Sequence, residues 1–320
     1  MFEKLVVVTR RTRLEELVDR FNTRGQAKFY IERVGSSFAD YEAEHEAYHR
    51  ALVLVRRELD LGLPRQLLDR SLVPTYRFAP TDVVVVLGQD GLVANVAKYA
   101  AGQPLVGVNP DPERIDGILL PWRPEDARAA VRAVLDGAAG TRSVTLAEAV
   151  LNDRQRLLAF NDLFIGARTH VSARYRIRAG ERVEAQSSSG VLVSTGAGST
   201  GWMSSVFNMA AGVAAFLGGA GRVQHRAPLE WEDPRLLYAV REPFASRHSA
   251  AGVVAGWIPG GGELVLESHM PTGGVIFSDG IEADFLHFNA GAVARVRAAR
   301  QRATLVVSRV AAEPRALAHA

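Results

Sequence analysis

Five consecutive apolar residues at positions 83–87 (VVVVL) form a run that is too short for a helix and too uniformly apolar for a half-exposed strand. This pattern is typical of a central parallel strand covered on both faces. The turn GQDG (residues 88–91) follows it, and residues 92–99 then predict a helix. A strand, a glycine turn and a helix start form a phosphate-binding corner, because backbone N–H groups and the helix dipole point towards the bound group.

Strand-like and helical patterns alternate around this corner. Residues 40–59 carry apolar side chains at close to helical spacing, which predicts an amphipathic helix covering one face of a sheet. The hydrophobic positions in residues 29–38 show no clear periodicity. The alternation indicates a parallel sheet. The predicted strands are residues 4–9, 83–87 and 104–108, and the predicted helices are residues 13–24 (a helix or an ordered turn), 40–59 and 125–136.

A proline-containing loop follows the strand at residues 104–108. It begins at Asn109, and Pro110 and Pro112 force it to be irregular. The carboxyl edge of a parallel sheet is the usual place for ligand contacts in an open α/β fold. Residues 137–140 (GAAG) read as a linker, so we predict one domain at residues 1–140 and a second at residues 141–320.

Short strand-like runs dominate the second half, which predicts a β-rich domain. The loop TGAGSTG (residues 195–201) interrupts them between a strand and an apolar helix at residues 202–216. Its glycines leave room for a ligand at the backbone, and Ser199 and Thr200 supply hydroxyls and can cap the helix. The alternative is an ordinary strand-to-helix connection. The predicted strands are residues 163–165, 173–177, 190–194, 252–258, 263–267, 274–277 and 292–298.

Composition limits the class of protein. A chain of 320 residues with 48% hydrophobic and 23% charged residues is typical of a soluble globular protein, and its length favours two cores. No apolar stretch approaches the roughly 20 residues of a membrane helix, and no signal peptide is visible. The absence of cysteine excludes disulfides and thiolate metal sites. We therefore expect a cytoplasmic protein that does not engage a membrane.

The formal charge of +3 comes from 38 basic and 35 acidic residues that are interleaved along the whole chain. Nothing resembles a basic stripe for nucleic acid, so we expect no nucleic-acid partner. A basic protein can attract polyanions such as nucleotides. A solvated arginine-rich surface is the plainer interpretation.

Taken together, these stretches resemble the ATP-dependent NAD kinase family, most closely its mitochondrial-type branch. The corner GQDGL (residues 88–92) resembles the family's Gly-Gly-Asp-Gly-Thr, and Asn161 and Asp162 stand at its Asn-Glu motif. Asp279 with Gly280 falls where the family has Asp-Gly. The agreement runs in the same order over most of the chain. The other matching stretches are residues 104–117 (PLVGVNPDPERIDG), 160–166 (FNDLFIG), 188–202 (SSGVLVSTGAGSTGW) and 238–247 (YAVREPFASR).

The resemblance implies an α/β N-terminal domain with a parallel sheet plus a β-rich C-terminal domain. It implies that Asp90 is the general base that takes the proton from the 2′-hydroxyl of the adenosine ribose of NAD. The alternative for Asp90 is a helix cap. The phosphates of ATP would be held by Gly88, Gln89, Gly91 and Leu92. Mg²⁺ would enter as the cofactor with ATP, and no side chain is assigned as a metal ligand.

NAD would be held mainly by the second domain. Asn161 and Asp162 would contact its ribose and nicotinamide side, since an amide and a carboxylate can both donate to and accept from sugar hydroxyls; an Asx-type turn is the competing interpretation. For Trp202 a core role is favoured, and Asp279 can equally be a turn residue. We further expect a homo-oligomer, with a dimer favoured. The implied NAD-binding residues are Asn109, Asn161, Asp162, Thr195, Gly196, Gly198, Ser199 and Thr200.

The sequence departs from the family at Gln89 and Leu92, which replace a glycine and a threonine. Ser189 stands where most of the family, outside the mitochondrial-type branch, has an acidic residue. If that glycine adopts a positive φ, a Gln there is strained. Three functions therefore stay open. They are an active NAD kinase, a catalytically impaired protein that binds NAD(P)(H), and a kinase for another hydroxyl substrate.

Overall fold

Two units make up the chain, and the computed structural model describes residues 2–100, 102–218 and 229–307 of it. The first unit comprises Met1–Arg142 with the segment that begins at Thr304, and the second comprises Ser143–Ala303. Each unit has its own hydrophobic core. None of the helices within the described ranges is long and apolar enough to cross a membrane.

The regular elements are numbered in chain order. The helices are α1 (Arg13–Phe21), α2 (Arg24–Arg33), α3 (Phe38–Glu58), α4 (Asp90–Ala97), α5 (Ala127–Leu135) and α6 (Trp202–Phe216). The strands are β1 (Lys4–Thr9), β2 (Arg65–Asp69), β3 (Asp82–Leu87), β4 (Pro104–Val108), β5 (Gly140–Leu151), β6 (Arg156–Ala159), β7 (Asp162–Ala167), β8 (Ala173–Ala179), β9 (Arg182–Ser188), β10 (Val191–Ser194), β11 (Leu236–Val240), β12 (Ala255–Ile258), β13 (Leu264–Ser268), β14 (Gly274–Ser278), β15 (Ile281–His287) and β16 (Val293–Val307).

The first unit contains the predicted parallel sheet. Its strands lie in the order β2-β1-β3-β4, and every neighbouring pair is parallel. All six residues of β3 are buried, as the uninterrupted apolar run predicts. Tyr48 and Val55 of α3 and Val131 of α5 pack in the same core as β3. The predictions of a parallel α/β fold and of a central strand at residues 83–87 are therefore confirmed.

The N-terminal helices differ from the sequence-based prediction. Residues 13–24 are not one helix, because α1 ends at Asn22, whose φ of 63° lies in the left-handed region. Thr23 then caps α2 by accepting from the backbone N–H of Gln26. Residues 29–38, which show no clear period, fall in the second half of α2 and the start of α3. The structure therefore has two helices between Arg13 and Arg33.

The second unit is β-rich, as predicted. One six-stranded antiparallel sheet runs β12-β11-β10-β7-β14-β15, and a second group of strands runs β16-β13-β8-β9. Inward side chains of both groups share one core, which includes Ile165 of β7, Ile177 of β8 and Leu266 of β13. The other face of β10 and β11 packs against α6 through Leu192 and Met203. The predicted helix at residues 202–216 is confirmed.

Candidate functional site

The first residue of the corner after β3, Gly88, is fixed by a hydrogen bond and by close packing. The Gly88 N–H donates to the Val108 carbonyl at 3.3 Å. A Cβ at Gly88 would lie 2.7 Å from Cδ2 of Leu92, and Leu92 is buried at 3% exposure. Glycine at position 88 therefore makes room for the buried side chain of Leu92.

Gln89 is the N-cap residue of α4, with φ −116° and ψ 164°. This is extended backbone that any residue adopts, so Gln89 carries no backbone strain. Its side chain makes no capping hydrogen bond and is exposed. Gly91 is also exposed, and a Cβ there would meet no atom within 4 Å. The surface around Gln89 and Gly91 is therefore open.

Asp90 is the first residue of α4 and is partly exposed. Its Oδ1 accepts a hydrogen bond from the Leu119 backbone N–H at 2.6 Å. No N–H of α4 donates to Asp90 in the described part of the chain, so the side chain does not cap its own helix. Oδ2 of Asp90 accepts no hydrogen bond from any residue that the structure describes. One carboxylate oxygen is thus held in place while the other is available to a ligand.

Asn109 holds together the loop that follows β4. Its Nδ2 donates to the Ile115 carbonyl at 2.8 Å, and its Oδ1 accepts from the Asp111 N–H at 3.0 Å. Gly117, at φ +66°, comes so close that a Cβ there would overlap Asn109 Nδ2. The Asn109 side chain is buried. Among the described residues, the hydrogen bonds of this side chain therefore all serve the loop itself.

Thr195 fixes the glycine loop of the second unit to the residues before β7. It is completely buried. Its Oγ1 donates to the Phe160 carbonyl at 2.6 Å and accepts from the Gly198 N–H at 3.2 Å. Its backbone N–H donates to the Asn161 carbonyl at 2.9 Å. These hydrogen bonds therefore hold the glycine loop against the segment that contains Asn161 and Asp162.

Two glycines of this loop are required by neighbouring backbone. A Cβ at Gly196 would overlap the carbonyl of Glu230, and a Cβ at Gly198 would overlap the carbonyl of Asn161. The space that the sequence suggested for a ligand at these positions is occupied by protein. The glycines allow close packing of three chain segments.

Ser199 and Thr200 do not cap α6, contrary to the sequence-based expectation. A 3₁₀ turn, Ala197–Thr200, precedes α6, and the N-cap residue of α6 is Gly201. Ser199 Oγ donates to the Gly196 carbonyl at 2.7 Å and accepts from the Leu229 N–H at 3.2 Å. Thr200 is exposed, and its hydroxyl makes no hydrogen bond within the described ranges. Thr200 is thus the loop hydroxyl that is accessible.

Asp279 has a larger role than a turn residue. Its carboxylate accepts from the successive backbone N–H groups of Phe160 at 3.0 Å, Asn161 at 2.6 Å and Asp162 at 3.2 Å. Its own N–H donates to the Asp162 carbonyl at 2.9 Å, and its φ is +54°. Asp279 therefore fixes the backbone of the Asn161-Asp162 pair. The Asp-Gly motif at residues 279–280 is the sequence signal for this contact.

Asp162 has an unusual environment for a carboxyl group. Within the described ranges its Oδ1 is inaccessible and has no hydrogen-bond partner, although the residue as a whole is only partly buried. Burial raises the pKa of Asp162 to about 7; the Ser194 hydroxyl opposes this rise, and the negative charge of Asp279 adds to it. The Asn161 amide makes no side-chain hydrogen bond in the described part of the chain. Donors and acceptors for a ligand are therefore present side by side.

An aromatic stack lies next to this pair. The ring of Phe164 stacks on Trp202 at 5.8 Å and on Phe277 at 4.9 Å between centroids. A Cβ at Gly166 or Gly190 would lie 2.7 Å from the Phe164 ring, so both glycines make room for it. Trp202 is half-buried, which agrees with the packing role that the sequence favoured. Sequence reasoning did not single out Phe164 or Phe277.

The site residues therefore fall into two groups, one in each unit. The corner of the first unit supplies a fixed carboxylate beside open backbone. The loop of the second unit supplies an amide, a carboxyl group with a raised pKa and an accessible hydroxyl. Gly88, Gln89, Asp90, Gly91, Leu92 and Asn109 belong to the first unit, and Asn161, Asp162, Thr195, Gly196, Gly198, Ser199 and Thr200 belong to the second.

The comparisons with known proteins show which solved structures share this fold. No family model matches the chain, and no curated protein matches it. Solved structures do match over nearly its whole length, and the α/β and β-rich parts of the predicted fold class are confirmed by them.

One of these structures is yeast NADH kinase complexed with NADH. It superimposes with a TM-score of 0.57 at 16% identity, over 96% of this chain and 84% of the yeast chain. Another is an NAD kinase from Archaeoglobus fulgidus in complex with ATP, with a TM-score of 0.55 at 14% identity, over 95% of this chain and 93% of the other. At these identities the likeness shows a shared fold.

Proposed function

We propose that this protein is an NAD kinase of the mitochondrial-type branch, which transfers the γ-phosphate of ATP to the 2′-hydroxyl of the adenosine ribose of NAD to form NADP. The observation that carries the proposal is the Asp90 carboxylate, which is anchored by one oxygen and available through the other. The shared fold with kinases complexed with NADH and ATP supports it.

The proposed reaction assigns one chemical task to Asp90. As the 2′-oxygen forms a bond to the γ-phosphorus, its proton passes to Asp90, the bond from the γ-phosphorus to its bridging oxygen breaks, and ADP leaves. A positioned base of this kind contributes typically about 10²- to 10⁴-fold to the rate. The Leu119 N–H contact fixes the direction of the carboxylate, which is the positioning that such catalysis requires.

ATP enters this reaction as its magnesium complex. The ion spreads the negative charge of the phosphates, and the open backbone around Gln89 and Gly91 is where they are proposed to lie. Leu92 adds no side-chain donor there, because its side chain is apolar, and it is also buried beside Gly88. The proposed phosphate contacts therefore rely on backbone N–H groups and the start of α4.

NAD is proposed to be bound by the group in the second unit. The Asn161 amide and the Asp162 carboxyl group recognise ribose hydroxyls, and Thr200 adds an accessible hydroxyl. Thr195, Gly196, Gly198 and Ser199 act by holding the loop in shape. Asn109 acts in the same way on its own loop.

A catalytically impaired protein that binds NAD(P)(H) is the second candidate. The apolar Leu92 favours it, because a hydroxyl contact to phosphate is missing at this position. Both candidates require dinucleotide binding, and only the first requires turnover. A kinase for another hydroxyl substrate would show turnover of ATP without formation of NADP.

The test is to incubate the purified full chain with MgATP and either NAD or NADH, and to measure NADP(H) with a specific dehydrogenase. Calorimetric titration with each dinucleotide runs in parallel. Turnover with binding supports the kinase, and binding without turnover supports the second candidate. Absence of binding by either dinucleotide contradicts both. Light scattering on the same samples tests the proposed homodimer.

A further inference from the structure

Three potential metal ligands meet where α1 packs against α3 in the first unit. Glu15 of α1 and His45 and His49 of α3 each offer one ligand atom, and these atoms all lie within 4.8 Å of one another. The two histidines are one helical turn apart, and their ring centroids are 4.3 Å apart. All three side chains are partly exposed, so an ion has access to them. This cluster takes no part in the function proposed above.

His45 is oriented by a buried neighbour. Its Nδ1 lies 2.9 Å from Oγ1 of Thr12, the N-cap residue of α1, which is completely buried. The single hydroxyl proton of Thr12 can serve Glu15 Oε2 at 3.3 Å, and Thr12 Oγ1 then accepts from His45 Nδ1–H. This tautomer leaves the lone pair of His45 Nε2 for an ion. A hydrogen bond at the second ring nitrogen is the usual arrangement for a metal-bound histidine.

Glu15 is also held in place. It is the third helical residue of a capping box, and its Oε2 accepts from the Thr12 backbone N–H at 2.7 Å. Its Oε1 lies 3.1 Å from His49 Nε2. Two ligands of a tetrahedral zinc ion at about 2.0–2.1 Å are about 3.3 Å apart. The Glu15–His49 pair therefore already has close to the spacing of two ligands of one ion.

The surrounding charges are mostly paired with one another. Arg10 and Arg13 pair with Glu44, Arg11 pairs with Asp19, and Arg50 pairs with Glu46. A cavity of about 550 Å³ adjoins the two histidines and is lined further by Val53, Leu54 and Arg57. An ion bound by three side chains thus has space for water in its remaining positions.

We propose that Glu15, His45 and His49 bind a divalent transition-metal ion, with Zn²⁺ as the expected ion and water completing its coordination. Two imidazole nitrogens and one carboxylate oxygen form a ligand set that suits Zn²⁺ and Co²⁺ and is a poor match for Mg²⁺. The ion bridges α1 and α3. Its binding therefore stabilises the folded first unit by mass action.

The experiment uses the full chain without a histidine tag, after treatment with a chelator. Zn²⁺ binding is measured by calorimetry, and Co²⁺ binding by its visible absorption spectrum. We expect one equivalent of Zn²⁺, a Co²⁺ spectrum typical of nitrogen and oxygen ligands in a four- or five-coordinate site, and a higher unfolding temperature with Zn²⁺. A tenfold excess of Mg²⁺ should not displace either ion.

The variants identify the ligands. Glu15→Gln retains a capping box, which accepts Gln at this position, and His49→Gln removes one imidazole; each should weaken Zn²⁺ binding by at least about 10- to 100-fold and abolish the thermal shift. His248→Gln, which removes an exposed histidine of the second unit, is the matched control and should bind as wild type. Equal Zn²⁺ affinity in His49→Gln and wild type, or no saturable binding by wild type, would overturn the proposal and leave Glu15 and His49 as an ordinary hydrogen-bonded pair.

Discussion

The raised pKa of Asp162 predicts a pH-dependent cost to stability. Burial moves this pKa from 3.8 to about 7, so between these pH values the folded protein holds a proton on Asp162 that the unfolded chain has released. Stability then falls as the pH rises through this window and is level above pH 7. Each pKa unit is worth about 1.36 kcal/mol, so the full cost is at most about 4 kcal/mol.

Replacing Asp162 by Asn removes this cost because the amide does not ionise. The free energy of unfolding of Asp162→Asn, relative to wild type, should therefore rise from pH 5 to pH 7 by up to about 2–3 kcal/mol and then stay constant. Urea unfolding of both proteins at closely spaced pH values measures this difference, and the other titrating groups largely cancel between them.

Asp153→Asn is the matched control. Asp153 belongs to the same unit, and hydrogen bonds from Gln155 lower its pKa, so its replacement should produce no pH dependence above pH 5. A pH-independent difference between wild type and Asp162→Asn would refute the account of Asp162. A wild type that becomes relatively more stable as the pH rises would refute it more strongly.

Three further substitutions test the structural roles of neighbouring residues by urea unfolding. In Asp279→Asn the new residue tolerates the positive φ, but its amide places a donor against a backbone N–H. The free energy of unfolding should therefore fall by about 1.5–3 kcal/mol. A fall of less than about 0.5 kcal/mol would argue against the carboxylate contacts. Gly198→Ala should lower the free energy of unfolding by at least about 2 kcal/mol, because the alanine methyl would overlap the Asn161 carbonyl. Stability equal to wild type would contradict this packing. Leu92→Thr should lower the free energy of unfolding by about 1–3 kcal/mol, because a hydroxyl replaces buried aliphatic carbon beside Gly88. Unchanged stability with faster turnover would instead place residue 92 at the phosphates.

The sequence predicted the elements whose hydrophobic pattern is strong. The apolar run at residues 83–87 is the buried strand β3, and residues 40–59 match α3 within two residues at its start. Helix α2 was missed because only Ala27 and Ile31 of it are buried while Phe29 is exposed. Strand β9 was missed because most of its residues are not buried and those that are, Gln186 and Ser188, are polar.

Contacts at the candidate site depend on residues that are distant in the sequence. Asp90 is recognisable from its position after a strand and a glycine, but its partner Leu119 follows 29 residues later. Likewise, the glycines at 196 and 198 suggest a ligand, whereas the structure fills their space with the backbone of Glu230 and Asn161. A short motif locates the loop, and only the tertiary structure says what its glycines face.

The measurement that tests the central claim most directly is NADP formation from NAD and MgATP by wild type and by Asp90→Asn, with NAD affinity measured on both. Asn can keep the Leu119 contact and the shape of the side chain, so only the base is lost. We predict a kcat about 10²- to 10⁴-fold lower for the variant with NAD affinity within a few-fold of wild type. Equal kcat for the two proteins, or no NADP from wild type, would contradict the account.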